Sequence, residues 1–141
     1  MPYADIPNHT KTEHNIAWAI NAERRRHGLR SLRARRGLAR VADGHSADQL
    51  RFDRMQHDGF DGKTVMQRIR FAGGYKNGGE VIAWVPDGLS HAGRKVVAMW
   101  MASPGHAQQL LRGDFRFLGV GAKFGTLGGE RGWMITADFG G

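Results

Sequence analysis

The chain has 141 residues, enough for one domain with a substantial core and too few for two. Hydrophobic residues make up 40% and charged residues 24% of it, a globular composition that excludes a disordered chain, and the net charge is +8. The chain has no cysteine, which excludes disulfides and thiol catalysis, and no apolar run approaches the roughly 20 residues of a membrane-spanning helix. We therefore predict a single domain over residues 1–141.

Three helices are predicted in the first half of the chain. The first begins at Thr10, which forms a capping box with Glu13, and it ends at Gly28. The second covers about residues 37–56, and the third covers about residues 64–71. The apolar stripe of the second helix contains Leu38, Val41, Ala42, His45, Gln49 and Phe52.

The second half of the chain contains the predicted strands. One strand covers residues 80–85 and is broken by Pro86. Two more strands are predicted at residues 117–124 and 132–139. The glycine-rich segment between them indicates an antiparallel hairpin. Two further helix starts are predicted at Ser90 and at Ser103, where proline follows the serine, and the latter helix ends near residues 112–113. Strands clustered late in the chain favour an α+β fold over an alternating one.

The positive charge is concentrated in residues 24–40, which hold eight arginines and no acidic residue. Such a block attracts polyanions, although a solvated face is the more ordinary interpretation. Within it, Arg33, Arg35 and Arg36 are our candidates for binding a polyanion such as a cell-wall polymer. Because the block contains no aromatic side chain for base stacking, we do not expect nucleic-acid binding.

Three separated residues could form a metal site. His57 follows the second helix, Glu80 opens a strand after two glycines, and His106 lies in the first turn of a short helix. Each alone is more typical of a surface residue. Together, two imidazoles and a carboxylate suit zinc and neighbouring metals. Their spacing along the chain does not show whether they converge.

These residues occur within a longer pattern. His57, Gly79-Glu80 and the segment from Trp100 to His106 (WMASPGH) appear in the order and approximate spacing of bacterial CAP domains. The segments Asn21 to Arg24 (NAER), Gly28-Leu29 and Leu118 to Gly121 (LGVG) match as well. Over about residues 12–140 the sequence therefore resembles the CAP superfamily, which includes cysteine-rich secretory proteins, antigen 5 and plant pathogenesis-related proteins.

The resemblance implies a fold and a site. The expected fold is a three-layer α-β-α sandwich around a central antiparallel sheet, with His57, Glu80 and His106 lining a cleft that could hold zinc. This sequence lacks the second glutamate of the family's tetrad, and Val81 stands where the family has asparagine. A metal would then have at most three protein ligands from this set, which leaves a position for water or substrate.

The resemblance also implies a function class. We expect a binding module for small apolar or lipid ligands, cell-wall polymers or proteins. The resemblance also implies a secreted or periplasmic protein, although residues 1–10 show no signal peptide. Trp84, Trp100 and Ser103 are candidates for lining the ligand cleft, with core packing as the alternative for the tryptophans.

A metal-assisted hydrolase is the alternative function. Glu80 would act as general base on a water held by His57 and His106, directly or through a metal. His45 lies on the apolar stripe of the second helix, and we expect it to be a hydrogen-bonded structural residue rather than a ligand.

Overall fold

The computed structural model describes residues 11–86 and 92–141. The helices in these ranges are α1 (Lys11–Arg26), α2 (Arg36–Arg51), α3 (Val65–Ala72), α4 (Ala92–Met101) and α5 (Pro104–Leu110). The strands are β1 (Arg33–Ala34), β2 (Gly78–Pro86), β3 (Phe117–Leu127) and β4 (Glu130–Gly140). None of these helices has the length and apolar character needed to cross a bilayer.

The sheet has the strand order β1-β3-β4-β2. The β3–β4 hairpin and the antiparallel pairing of β2 with β4 confirm the predicted antiparallel sheet. The hairpin closes at Gly128 and Gly129, whose φ angles of +57° and +84° suit a tight two-residue turn. The sequence did not indicate β1, whose two residues are too few for a periodic pattern and pair in parallel with Phe117 and Leu118.

Strand alternation separates two helical layers, because successive side chains point to opposite faces of a sheet. Ile135, Ala137 and Phe139 of β4 belong to the core shared with α1 and α4, whose members include Ile16 and Trp100. The alternate residues of β4 face the other layer: Thr136 hydrogen-bonds Ser46 of α2, and Asp138 lies beside Arg68 of α3. The predicted three-layer α-β-α sandwich is therefore confirmed.

Two glycines let α2 lie very close to β3. A Cβ atom at Gly119 would collide with the backbone of Leu38 and Ala39, and one at Gly121 would collide with the backbone of Ala42 and Asp43. At both positions the nearest atoms belong to the α2 backbone, which cannot move aside as the end of a flexible side chain could. This close approach fixes the height of α2 above the sheet and so positions the residues at its C-terminal end.

Several predicted boundaries are corrected. Helix α2 ends at Arg51 rather than Gln56, because the chain turns at Asp53, where φ is +51°. His57 therefore lies in the following loop, and Phe52 is half exposed instead of joining the core stripe. Helix α5 ends at Leu110, before the predicted 112–113, while the three long strands extend beyond their predicted ends. Thr10 and Ser90, the predicted caps of α1 and α4, lie outside the described residues.

Glu13 covers an open edge of the sheet. Strand β1 reaches only as far as Leu118, and beyond it Glu13 of α1 accepts a hydrogen bond from the backbone of Ala122 in β3. The side chain is buried, with 1% of the residue exposed. Burial, and next the neighbouring Asp43 carboxyl group, raise the pKa of Glu13 to about 8, while Lys123 acts in the opposite direction. Glu13 thus holds α1 against β3.

The arginine block is divided between the core and the surface. Arg24 is fully buried and donates hydrogen bonds to the carbonyl groups of Arg30, Leu110 and Arg112. It ties the end of α1 to the segment after α5, so its charge is not part of the exposed basic surface. The block's other arginines are exposed or half-buried.

Candidate functional site

Glu80 is the centre of the site. It is the third residue of β2, and its register partner across the sheet is Asp138 of β4. The side chain of Glu80 is fully buried. His57 Nδ1 lies 3.0 Å from Oε1, and Arg68 Nη2 donates to Oε2 at 2.7 Å. Both carboxylate oxygens of Glu80 are therefore engaged by protein side chains.

Arg68 connects three segments of the site. Besides Glu80, it donates from Nη2 to the backbone carbonyl of His57 at 2.6 Å, and its Nη1 lies 3.7 Å from Asp138 Oδ2. The helix that carries it starts with a capping box, in which Thr64 Oγ1 accepts from the backbone of Gln67 and Gln67 Oε1 accepts from that of Thr64. This local sequence signal fixes the start of α3 and thereby the position of Arg68.

Sequence reasoning missed Arg68. One signal was present: Arg68 falls on the apolar stripe of α3, three residues after Val65 and next to the buried Ile69. A charged residue on a buried stripe is rarely placed there without an ionic partner. Nothing in the sequence, however, indicated that the partner is Glu80.

His45 supports the site from α2. Its side chain is 1% exposed, and Nε2 lies 2.7 Å from the carbonyl oxygen of Gln56, to which it donates. The same nitrogen lies 3.8 Å from Glu80 Oε1. The prediction of a hydrogen-bonded structural histidine is confirmed. Burial lowers the pKa of His45, and the charge of Glu80 opposes that shift.

The surroundings of the two buried carboxyl groups, Glu80 and Asp138, shift their pKa values in opposite directions. Burial raises the pKa of Asp138 well above its ordinary range, and the neighbouring charge of Glu80 raises it further. Burial would also raise the pKa of Glu80, but hydrogen bonds from His57 and Asp138 and the charge of Arg68 outweigh it and lower that pKa. Among the described residues, none donates a hydrogen bond to either oxygen of Asp138. These shifts favour a neutral Asp138 beside a charged Glu80, an arrangement in which Asp138 can donate a hydrogen bond to Glu80.

His57 is the exposed member of this network. Half of its side chain is exposed, and its hydrogen bond to Glu80 raises its pKa, while burial opposes the shift. Because Nδ1 is used by Glu80, the described contacts leave Nε2 of the same ring open towards solvent. A carboxylate that fixes one ring nitrogen while the other is free is the arrangement found around many metal-bound histidines.

A cleft of about 460 Å³ opens beside His57. It brings together all three predicted metal ligands, and its described lining residues are His57, Val65, Gly78, Gly79, Glu80, Ser103, Gly105, His106 and Gln109. Ser103 is the N-cap residue immediately before α5, but its hydroxyl forms no capping hydrogen bond, contrary to the sequence-based expectation. His106 enters the cleft from the first turn of the same helix.

The two candidate tryptophans do not line this cleft. Trp100 is 2% exposed, belongs to the core, and donates from Nε1 to the carbonyl of Ile82 at 3.0 Å. Trp84 lies four residues along β2 from Glu80, opposite Met134, and is absent from the described cleft lining. For Trp100 the core-packing alternative therefore holds, and Trp84, which is half-buried, stays a prediction as a ligand contact. Of the three cleft candidates, Ser103 alone lies there.

The described residues show no preformed metal cage. Within residues 11–86 and 92–141, no three His, Asp or Glu side chains are grouped so that they could hold an ion. Glu80 is not placed to act as a metal ligand, because its two oxygens already bind Arg68 and His57. The histidines therefore offer at most two protein ligands at this cleft, with water completing the coordination.

The three candidate polyanion-binding arginines differ in their surroundings. Arg33 of β1 and Arg36 at the start of α2 are exposed. Arg35 is half-buried, and its guanidinium group stacks over the ring of Phe117 at 4.2 Å from the centroid. Stacking of this kind holds the charged group in place at the surface. The three side chains thus form part of a basic surface around β1.

Comparisons with known proteins support this architecture. The model of the cysteine-rich secretory protein family (CAP) matches residues 18–139. An extracellular protein containing an SCP domain from Bacillus anthracis is 29% identical with a TM-score of 0.71, covering 89% of this chain and 40% of that one. An outer surface protein from Borrelia burgdorferi is 22% identical with a TM-score of 0.73, covering 93% of this chain and 95% of that one.

A structure of NaASP2 with Zn²⁺ is similar in fold, at 11% identity and a TM-score of 0.66, covering 95% of this chain and 82% of that one. The comparison with curated proteins gives no significant match. This chain spans less than half the length of the Bacillus anthracis protein, 40% of it. Because the family model spans most of the sequence and the fold agrees, the chain belongs to the cysteine-rich secretory protein (CAP) family.

Proposed function

We propose that this domain is a binding module whose cleft holds a divalent metal. We propose zinc as the metal and the imidazoles of His57 and His106 as its protein ligands. The observation that carries the proposal is the hydrogen bond between His57 Nδ1 and Glu80, which leaves the opposite ring nitrogen free at the cleft. With the proton on Nδ1, Nε2 presents the lone pair that a metal needs. The similar fold described with Zn²⁺, NaASP2, is consistent with this choice of metal.

Glu80 orients His57 in this proposal instead of binding the metal itself. Its oxygens are already committed to His57 and Arg68, and the network of Arg68, Asp138 and His45 holds the carboxylate in position. A buried carboxylate behind a histidine raises the basicity of the imidazole and fixes the ring. The earlier prediction of Glu80 as a third direct ligand is not needed for the proposal.

A bound metal would supply exchangeable coordination positions at the cleft mouth. Two imidazole ligands leave the remaining positions to water or to an oxygen or nitrogen of a bound partner. Ser103 and Gln109 lie beside these positions and can hydrogen-bond such a partner. We propose small lipids, cell-wall polymers or proteins as the ligand classes.

Export of the protein is part of the proposal. The similar structures from Bacillus anthracis and Borrelia burgdorferi are described as an extracellular and an outer surface protein. The cysteine-free core is compatible with an oxidising compartment, because no thiol is exposed to oxidation. We therefore propose a secreted or periplasmic location.

The hydrolase alternative is disfavoured by the state of Glu80. A general base needs a free lone pair near the reacting water and a pKa near the working pH. Both oxygens of Glu80 are occupied, and its pKa lies below the ordinary value. Another group would have to take the proton.

Zinc titration by calorimetry at pH 7 tests the proposal. We expect one-to-one binding to the parent, and loss of that binding in His57→Ala and in His106→Ala. His27→Ala is the matched control, because His27 is exposed at the end of α1 and lies outside the cleft lining. The proposal fails if the parent does not bind zinc, or if the His27 variant loses binding as the cleft variants do.

A further inference from the structure

A second groove lies between α1 and β1, the strand at the opposite edge of the sheet from β2. It has a volume of about 440 Å³, within the range of small-molecule sites. We call it the α1–β1 groove, and its described lining comes from one face of α1, from residues 31–34 and from Leu118 of β3. It shares no described lining residue with the cleft at His57.

An exposed indole forms one wall of the groove. Trp18 is 58% exposed, which is unusual for so large an apolar side chain. Trp18 and Arg25 are seven residues apart on α1, two helical turns, so both face the groove. The arginine-rich segment contains no aromatic residue of its own, but the fold brings Trp18 to it. Sequence spacing could not show this, because β1 supplies the opposite wall.

The charge of the groove favours an anion. Arg25 and Arg33 are both exposed and line it, and no aspartate or glutamate is found among its described lining residues. The salt bridges formed by the described residues involve neither arginine. Arg25 is held in place by donating from Nη1 to Ser31 Oγ at 3.0 Å, which leaves its other nitrogens available.

The floor of the groove favours an aromatic body over a sugar. Ala17, Leu32, Ala34 and Leu118 are buried apolar residues that line the groove. Asn21 uses its amide oxygen and nitrogen on the backbone N–H and carbonyl of Leu32. Because the Asn21 amide is already hydrogen-bonded, the hydroxyl groups of a sugar would find few partners in the groove, and leaving them unpaired would weaken binding. An aromatic ring needs none.

The size and composition of the groove favour a small ligand over a polymer. Single-stranded nucleic acid is bound along grooves in which successive bases stack on several aromatic side chains. This groove has one exposed aromatic residue among its described lining, enough for one ring system. Two cations beside one indole match a single ring that bears one anionic group.

We propose that the α1–β1 groove binds a small aromatic anion, whose ring packs on Trp18 and whose carboxylate, sulfonate or phosphate pairs with Arg25 and Arg33. The site is separate from the proposed metal cleft and does not depend on zinc. It gives the domain a second ligand, recognised by ring stacking and charge.

Calorimetric titration with naphthalene-2-carboxylate at about 0.15 M salt, where charges outside the groove are largely screened, tests this proposal, with naphthalene-2-methanol as the uncharged ligand of the same ring. We expect one-to-one binding of the acid and affinity for the alcohol lower by about tenfold or more, since a charge-assisted hydrogen bond is lost. Arg33→Ser and Trp18→Leu should each weaken binding of the acid by about tenfold. Both residues are exposed, so the variants should fold, and circular dichroism checks that they do.

Arg36→Ser is the matched control, because it removes the same charge from an exposed position outside the groove. It should change the affinity by less than about twofold. The proposal is overturned if the acid does not bind, if the alcohol binds equally well, or if Arg36→Ser weakens binding as much as Arg33→Ser. Tighter binding of oligothymidylate that competes with the acid would also overturn it in favour of nucleic acid. Zinc binding should be unchanged in all three variants, which separates this test from that of the cleft.

Discussion

Glu80 and Asp138 face each other on β2 and β4, and their surroundings shift the pKa values of the two carboxyl groups in opposite directions, down for Glu80 and up for Asp138. Arg68 balances the charge of Glu80, and His57 carries the network to the surface. Directly opposed carboxylates would repel each other in a buried site if both were ionised. The raised pKa of Asp138 favours its protonated form, which can donate a hydrogen bond to Glu80.

Asp138→Asn should therefore be tolerated, because the amide also donates a hydrogen bond to Glu80. We expect a loss of less than about 1 kcal/mol in the free energy of unfolding, against about 1–3 kcal/mol for Asp138→Ala, which leaves Glu80 without this donor. Urea denaturation at pH 7 measures both. Equal losses for the two variants would show that Asp138 is not a donor.

Arg68→Met should be among the most damaging substitutions in the site. It leaves the buried charge of Glu80 without its cation and removes the hydrogen bond to the His57 carbonyl. The expected loss of unfolding free energy is about 3–5 kcal/mol. Adding Glu80→Gln to Arg68→Met should recover part of this loss by removing the stranded charge. If the double variant is less stable than the single one, the ion pair does not account for the effect.

The imidazole of His57 should titrate above the ordinary pKa of 6.5 in the metal-free protein, since its hydrogen bond to Glu80 favours the charged ring. Because the folded-state pKa is raised, this pair stabilises the fold fully below pH 6.5, and the contribution disappears as pH rises through the folded-state pKa. Proton NMR of the ring should show the raised pKa, and Glu80→Gln should lower it. An unchanged His57 titration in that variant would contradict the assignment.

Glu13 should make the protein less stable as pH rises from about 4.5 to about 8. Its pKa is raised to about 8 in the fold, so the folded state retains a proton that the unfolded chain has lost in this range. Glu13→Gln should flatten this part of the stability profile, with a gain of at least about 1 kcal/mol at pH 8 relative to pH 5. Thermal melts at the two pH values give the comparison. The same slope in both proteins would assign it to other groups.

Gly121→Ala should destabilise the fold because the added methyl group would collide with the α2 backbone at Ala42 and Asp43. Overpacking of this kind costs about 1–3 kcal/mol. Gly44→Ala is the internal control: Gly44 lies on the exposed side of α2, where a Cβ meets nothing within 4 Å. It should stabilise by about 0.5–1 kcal/mol through helix propensity. Similar effects at both positions would refute the close-packing argument.

The sequence predicted most of the architecture because helices, turns and the hairpin leave local signals. Helix α3 lies within about one residue of its predicted bounds, and the paired glycines at 128–129 close the hairpin within the glycine-rich segment that predicted it. The resemblance to a known family predicted which of seven histidines share a cleft, which spacing alone could not do.

What the sequence could not show depends on register and long-range packing. Asp138 enters the site because β2 and β4 pair so that it lies opposite Glu80, and Arg68 enters because α3 packs beside that pair. The same limit applies to two tryptophans. The apolar character of Trp100 suited either a core or a cleft, and the sequence did not show that Trp18 and Arg33 line the same groove.

In the proposed function, His57 and His106 bind one metal ion together at the cleft. An anomalous difference map at the zinc edge, from crystals grown with zinc, would locate that ion. We predict one peak at about 2.0–2.1 Å from a nitrogen of each ring, with Glu80 still hydrogen-bonded to Nδ1 of His57. A zinc peak bound elsewhere, or one held by Glu80 without His106, would exclude this arrangement.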